Sequence, residues 1–327
     1  MMVNHTGVMS IPTIDLSGLG TQPDDARIGR ELINAYEIFG FSYVVNHGIP
    51  ESLISSVFEQ SRIFHAQSLE LKMDCELDAN HRGYMPLKTE TDLTTTLEDI
   101  TKPNLSESFM MMREFAADDP AVTTGTYLAG PNRWPKELPA FRKTLTAYNE
   151  TMCQLATNLI RVIAEGLGDK DAMLPSFNAP TTWLRLLHYP PQDQQAPADE
   201  YGSAPHCDFG AITLLAQDDV GGLSVKTTTG EWVDVPPVPG AFVMNVGDML
   251  HRWSNGRLLS TPHRVTNRSG RERYSIPFFF DPDVKTVISP LPSCTRPDNP
   301  AAFPPILFED FLRNELESAY TQHRPKS

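Results

Sequence analysis

The chain has 327 residues, of which 40% are hydrophobic, and carries 41 acidic against 27 basic side chains for a formal net charge of -14. A surface that acidic repels nucleic-acid phosphates, no basic cluster offsets it, and no run of about 18 apolar residues exists to span a membrane, so DNA, RNA and bilayer are excluded as expected partners. Cys75, Cys153, Cys207 and Cys294 are scattered with no CxxC pair, and Met1 to Ile11 has neither the cationic nor the apolar region of a secretion signal, which together fit a cytoplasmic protein with reduced thiols.

In chain order, residues 25–39 place Ile28, Leu32, Ile33, Ala35, Tyr36 and Phe39 on one face and predict a helix. Gly40 to Val45 reads as a short buried strand. Thr89 to Asn132, rich in Thr, Asp, Pro and Gly, reads as a long irregular connection of the kind that serves as a lid or pocket wall. Leu145, Tyr148, Met152, Leu155, Leu159, Val162 and Ile163 mark a long amphipathic helix, stopped by Gly166 and Gly168. From Trp183 to Phe280 the apolar period switches to two, with turn signals at Gly221-Gly222, Thr229-Gly230, Pro236 to Gly240, Gly247-Asp248 and Asn255-Gly256. Many short strands at that spacing predict a double-sheet roll or sandwich with the earlier helices buttressing one face. A last helix is expected from Pro305 to about Tyr320, with Leu307, Phe311, Leu312 and Leu316 as its stripe.

The chemistry concentrates in the strand-rich part. His206-Cys207-Asp208 puts an imidazole and a carboxylate two residues apart, so on an extended segment both project from one face. Alone, an HxD pair is commonplace. His263 follows 57 residues later, after enough strands for the chain to return across a roll and face that pair. Two imidazoles and one carboxylate on one side of an ion leave three positions open, the ligand set of non-haem iron(II) oxygenases; zinc on similar ligands favours hydrolysis, so the ligands alone leave the metal open. His188 and His251 lack this spacing and read as core or surface residues.

Arg273-Tyr274-Ser275 lies ten residues beyond His263, at the start of an apolar strand, where the guanidinium and the hydroxyl share a face. The planar fork of a buried Arg matches a carboxylate. A structural salt bridge is the plain alternative; one strand away from a metal ligand, the pair is placed to hold the distal carboxylate of 2-oxoglutarate, with a further hydrogen bond from Tyr189.

These residues, taken together, resemble the isopenicillin N synthase-like branch of the iron(II) and 2-oxoglutarate-dependent oxygenases. The resemblance runs through Ile11-Pro12-Thr13-Ile14-Asp15-Leu16, Asn46-His47-Gly48-Ile49-Pro50, His81-Arg82-Gly83-Tyr84, Asn132-Arg133-Trp134-Pro135 and residues 184–191. It is strongest in His206-Cys207-Asp208-Phe209-Gly210, Asn245-Val246-Gly247-Asp248, Trp253-Ser254-Asn255-Gly256, His263-Arg264-Val265 and Arg273-Tyr274-Ser275. It implies a mainly β fold with flanking helices, whose core at 181–290 is a distorted double-stranded β-helix (jelly roll). Residues 1–180 would form a helical and strand region packed on that core, and 291–327 would hold the C-terminal helix. It further implies iron(II) on His206, Asp208 and His263, 2-oxoglutarate on Arg273, Ser275 and Tyr189, and dioxygen as the second co-substrate. Many relatives carry Asn where this chain has Leu187, which implies a less polar pocket beside the iron.

By the same resemblance, Tyr84, Met110, Met112, Arg185, Leu187, Phe209 and Phe279 are expected to wall the substrate pocket. Arg185 would pair with a phenolate, enolate or carboxylate of the substrate, unless it is a solvated charge at a strand end, and Phe279 would stack on an aromatic ring. Phe109 to Met112 would otherwise be plain packing. The expected reaction is hydroxylation of a small aromatic or polyketide-derived metabolite, or a rearrangement such as the ring expansion of tropolone formation. A nucleobase methyl hydroxylase and a 2-oxoglutarate-independent oxidase of the isopenicillin N synthase type are the alternatives.

Overall fold

A computed structural model describes residues 10–91, 97 and 100–319 of the chain. The amino-terminal nine residues, part of the 89–132 connection and the end of the last expected helix at Tyr320 lie outside the described residues.

The strands, in chain order, are β1 (Thr13–Asp15), β2 (Phe41–Val45), β3 (Gly83–Met85), β4 (Glu107–Met112), β5 (Thr181–Tyr189), β6 (Ser203–His206), β7 (Ile212–Gln217), β8 (Leu223–Lys226), β9 (Trp232–Asp234), β10 (Ala241–Val246), β11 (His263–Val265) and β12 (Arg273–Asp281), followed by the short pair β13 (Val287–Ile288) and β14 (Ile306–Leu307). The principal helices are α1 (Asp24–Ile38), α2 (Glu51–His65), α3 (Leu69–Met73), α4 (Pro120–Thr123), α5 (Pro139–Leu167), α6 (Lys170–Met173), α7 (Asp248–Trp253) and α8 (Phe308–Ala319). An eight-stranded sheet runs β1-β2-β10-β7-β12-β5-β4-β3 and a four-stranded sheet runs β6-β11-β8-β9. Only the outer β1–β2 pair of these sheets is parallel. The result is a distorted double-stranded β-helix, mainly β with flanking helices.

Strand alternation divides the major sheet into two chemically different faces. On β5, Leu184 and Leu186 join the large core under α1, α2 and α5, while Leu187 and Tyr189 join a smaller core between the sheets with Phe41, Leu223, Val225, Val243 and Val265. The long helix α5 buries its stripe from Phe141 to Leu167 and stops where Gly168 adopts φ +86°, a left-handed cap that closes on the carbonyl of Ala164.

Two segments depart from the sequence-based expectation. Glu107–Met112, expected within the irregular connection, is a fully buried strand between β3 and β5. A strand covered on both faces shows a continuous apolar run instead of alternation, so its period gives no signal. Asp248, read as part of a turn, begins the short helix α7, whose Met249, Leu250 and Trp253 are buried inside the strand-rich region.

Candidate metal and co-substrate site

β6 and β11 are antiparallel neighbours with His206 directly opposite His263, so their imidazoles stand side by side with ring centroids 4.3 Å apart. Asp208, in the loop after β6, brings Oδ1 to 3.8 Å from Nε2 of His206 and 3.6 Å from Nε2 of His263. One ligand atom from each of the three lies within 4.8 Å of the others, the single such cluster of His, Cys, Asp or Glu among the described residues.

The surroundings orient all three groups. Nδ1 of His206 lies 2.7 Å from the carbonyl of Ala204 and Nδ1 of His263 lies 3.3 Å from that of Thr261, so each Nδ1–H donates to backbone and each Nε2 keeps a lone pair. Oδ2 of Asp208 accepts from the Thr213 hydroxyl at 2.5 Å and from Nδ2 of Asn245 at 2.6 Å, which leaves Oδ1 facing the imidazoles. Burial, with the neighbouring His206, pushes His263 down to about 4 against the pull of Asp208, and a neutral imidazole is the form that ligates. Burial tends to raise Asp208, but His263, His206, Asn245 and Thr213 together hold it below the usual carboxylate range. An oriented, mixed nitrogen and oxygen donor set of this kind, with one carboxylate, fits a mononuclear divalent transition metal.

The residues expected to clamp the co-substrate face the same cavity, Arg273 and Ser275 from β12 and Tyr189 from β5. Arg273 is fully buried; Nε donates to the Gly221 carbonyl at 2.5 Å, a terminal nitrogen to Oε1 of Gln217 at 3.3 Å and the other to the Ser275 hydroxyl at 3.4 Å. Its guanidinium carbon sits 4.6 Å from the centroid of the Tyr189 ring. No carboxylate lies within ion-pair distance of it among the described residues. A cation buried without a counter-ion is costly, so the chemistry of this cavity asks for a bound anion. Leu187, Tyr189, His206, Asp208, His263, Arg273 and Ser275 all line one cavity, with Phe41 and Phe279.

A second cavity meets the first across Glu90, Arg185, Ser203, His206, Asp208 and Phe279 and extends to His81, Met110, Trp183, Phe209, Asp281 and the α8 residues Leu312, Leu316 and Ala319. Among the expected wall residues it thus gathers Met110, Arg185, Phe209 and Phe279, with Leu187 on the clamp side. Two expectations fail. Tyr84 lines neither cavity, because its hydroxyl donates to Glu107 in the core; Met112, two residues along β4 from Met110, lines a different hollow beside Arg82 and Tyr127. Both expectations for Arg185 also need correction. Its side chain is only 12% exposed, so it is not a solvated strand end, and its two terminal nitrogens already hold Glu90 at 2.6 and 3.1 Å while Nε donates to Ser108 at 3.0 Å.

Sequence reasoning missed Glu90, Thr213, Gln217 and Asp281, and it gave Asn245 no role beyond its place in a family-like segment. Asp281 carried a faint signal, an acidic residue two positions beyond Phe279 at the end of an apolar strand; Glu90, 95 residues from its partner in irregular chain, carried none.

A roll of two sheets with a two-histidine, one-carboxylate face and a buried cation beside it is the framework of a non-haem metal oxygenase that takes an anionic co-substrate. Residues 180–282 match the 2OG-Fe(II) oxygenase superfamily and residues 11–137 match the N-terminal region of non-haem dioxygenase in morphine synthesis. The chain is 37% identical over 304 residues to the 2-oxoglutarate-Fe(II) type oxidoreductase hxnY of Emericella nidulans, covering 90% of this chain and 85% of that one. It is 33% identical to the 2-oxoglutarate-dependent dioxygenase tropC of Talaromyces stipitatus over 86% of this chain and 89% of the relative. The crystal structure of a full-length Neurospora crassa protein in complex with alpha-KG and thymine superposes with a TM-score of 0.82 at 29% identity, over 97% of this chain and 99% of the other. The chain belongs to the 2OG-Fe(II) oxygenase superfamily. It is an iron(II)- and 2-oxoglutarate-dependent dioxygenase, and no helix among its described residues is long and apolar enough to cross a membrane.

Proposed function

We propose that His206, Asp208 and His263 hold the iron, that Arg273, Ser275 and Tyr189 bind 2-oxoglutarate, and that the enzyme hydroxylates a small ring-bearing metabolite seated among Met110, Arg185, Phe209 and Phe279. The observation that carries this reading is the buried Arg273, without a carboxylate partner among the described residues, in the same cavity as the three candidate ligands. When bound, iron, 2-oxoglutarate and dioxygen together supply a two-electron oxidation of a C–H bond, with release of succinate and carbon dioxide. The chain's own residues do the rest. Oδ1 of Asp208 faces the imidazoles because Thr213 and Asn245 hold Oδ2, and Phe209, packed edge-on against Phe311 with centroids 6.3 Å apart, helps α8 cover the pocket. Leu187 lines the clamp cavity with an apolar side chain, which favours a substrate ring over a polar chain at that point.

The substrate falls in one of two classes. A polyketide-derived or other aromatic ring agrees with the aromatic side chains that line the pocket, and a nucleobase agrees with the thymine bound by the Neurospora crassa neighbour. The four free cysteines agree with a cytoplasmic setting.

The test is anaerobic addition of iron(II) and then 2-oxoglutarate, followed by the visible charge-transfer absorption of a chelated keto acid and by oxygen-dependent succinate release with candidate substrates. Asp208→Ala is expected to abolish both signals while the circular dichroism spectrum stays that of the parent; parental rates in that variant would refute the metal assignment.

A further inference from the structure

The loop that carries Asp208 is tied down on two sides. Its carbonyl groups are held by the residues that open α7: the N–H of Asp248 donates to Asp208 at 2.8 Å, that of Met249 to Gly210 at 2.9 Å and that of Gly247 to Ala211 at 3.0 Å. The other side is held by one side chain. Oδ1 of Asp281, at the end of β12, accepts the Ala211 N–H at 2.8 Å, and Oδ2 accepts the indole N–H of Trp183, near the start of β5, at 2.9 Å. Both residues are buried, and both line the substrate-side cavity with Asp208, Phe209 and Gly210. The indole stands edge-on to the His81 ring, with centroids 5.2 Å apart. Burial pushes the Asp281 carboxyl up to about 7, with Asp208 adding to the rise and the two N–H groups opposing it. An amide of the same shape therefore removes an acceptor more than it removes a charge.

Resting on the proposed assignment of Asp208 as a metal ligand, we infer that Asp281 is a positioning residue for the reaction. By accepting one N–H from each, it sets the spacing between the metal loop and the Trp183 ring, and so where a substrate lying against that wall stands relative to the metal. A buried carboxyl shared by donors from two separate elements makes those elements move together, because releasing either one leaves a buried N–H without a partner.

The chemistry of asparagine separates this link from packing. Asp281→Asn keeps the shape but offers one acceptor and one NH2 donor to two N–H groups, so one of them faces a donor. The indole is wedged against His81, and the mismatch falls on the loop. Iron(II) affinity, from anaerobic titration, is expected to fall at least about tenfold, and the Ala211 amide of the metal-free protein to exchange with deuterium at least about tenfold faster. Trp183→Phe removes the competing indole N–H. Alone it is expected to change iron(II) affinity less than about threefold. Combined with Asp281→Asn it is expected to restore most of the lost affinity and the slow exchange, because the amide oxygen can then turn to Ala211. Losses that came from packing would add instead. Parental affinity and exchange in Asp281→Asn, or a double variant no better than Asp281→Asn in both, overturns the inference. Should Asp281→Asn fail to fold, recovery of a folded protein with parental exchange at Ala211 in the double variant supports the link, and its absence overturns it. Failure of the parent to bind iron(II) overturns the metal assignment instead, and the exchange rates still decide whether Asp281 holds the loop.

Discussion

At the residue scale, the site depends on side chains that are not themselves ligands. Gln217 is the neutral neighbour of Arg273, and its Nε2 is held by the Val235 carbonyl at 3.4 Å, which keeps Oε1 on the guanidinium. Gln217→Glu would place an anion about where Gln217 now accepts its hydrogen bond and so answer the buried cation from within the protein. The expected outcome is a 2-oxoglutarate KM raised at least about tenfold with kcat at saturation little changed, read from succinate release at varied co-substrate; an unaltered KM would show that Arg273 does not bind the co-substrate. The pairing of Arg273 with Ser275 was legible in the sequence because alternation fixes which residues of a strand share a face, whereas Asp208 stands in the loop after β6 and its approach to the two histidines is set by the fold. Gln217 and Glu90 were not legible, because their partners lie 56 and 95 residues away and only the folded chain brings them together.

At the scale of elements, β5 and β12 form one inward-facing series. Tyr189 pairs with Arg273, Leu187 with Ser275 and Trp183 with Phe279, so the proposed co-substrate clamp and the proposed substrate wall stand on the same two strands. Arg185 falls opposite Pro277 in this register, where β12 has no N–H to give. The end of that series is tied to the metal loop by close packing. A β-carbon on Gly210 would lie 1.5 Å from Oδ1 of Asp281, so only glycine lets the loop after Asp208 lie against the end of β12. Gly210→Ala is expected to push that loop outward and weaken iron(II) binding at least about tenfold, measured by anaerobic titration, even where melting shows a folded protein. Retained affinity would mean that the carboxylate does not set the loop's position. The strands of the roll were legible from their period of two, whereas β4 was hidden because burial on both faces erases alternation, and α7 because a helix of six residues is too short to display a period.

At the scale of the whole molecule, the outer face of the sheet is anchored by a buried polar cluster. Glu107 accepts from Nζ of Lys72 at 2.7 Å, from Nδ1 of His188 at 2.8 Å and from the Tyr84 hydroxyl, joining α3, β3, β4 and β5. Burial alone would raise this carboxyl, but the three donors outweigh it and hold it at about 2, against 4.5 for an ordinary glutamate. A carboxyl lowered by folding adds stability that is fully present above its unfolded value and disappears as the pH falls through the folded one. Glu107→Gln is therefore expected to cost about 3 kcal/mol in urea unfolding at neutral pH, with the deficit shrinking between pH 4.5 and 2. A deficit that does not vary with pH would locate the loss in packing. The helical buttress was legible from its apolar stripes; this cluster was not, because nothing in a linear pattern announces that Lys72 and His188 meet on one carboxylate. The alternation of β5 and β12 carries a last implication. Odd-numbered positions from Trp183 to Tyr189 and from Arg273 to Asp281 line the two cavities, and the even-numbered positions between them, such as Leu184, Leu186, Ile276 and Phe278, make the foundation. A lineage can thus rewrite what the enzyme accepts by changing every second letter of two words, while the alternate letters keep the protein standing.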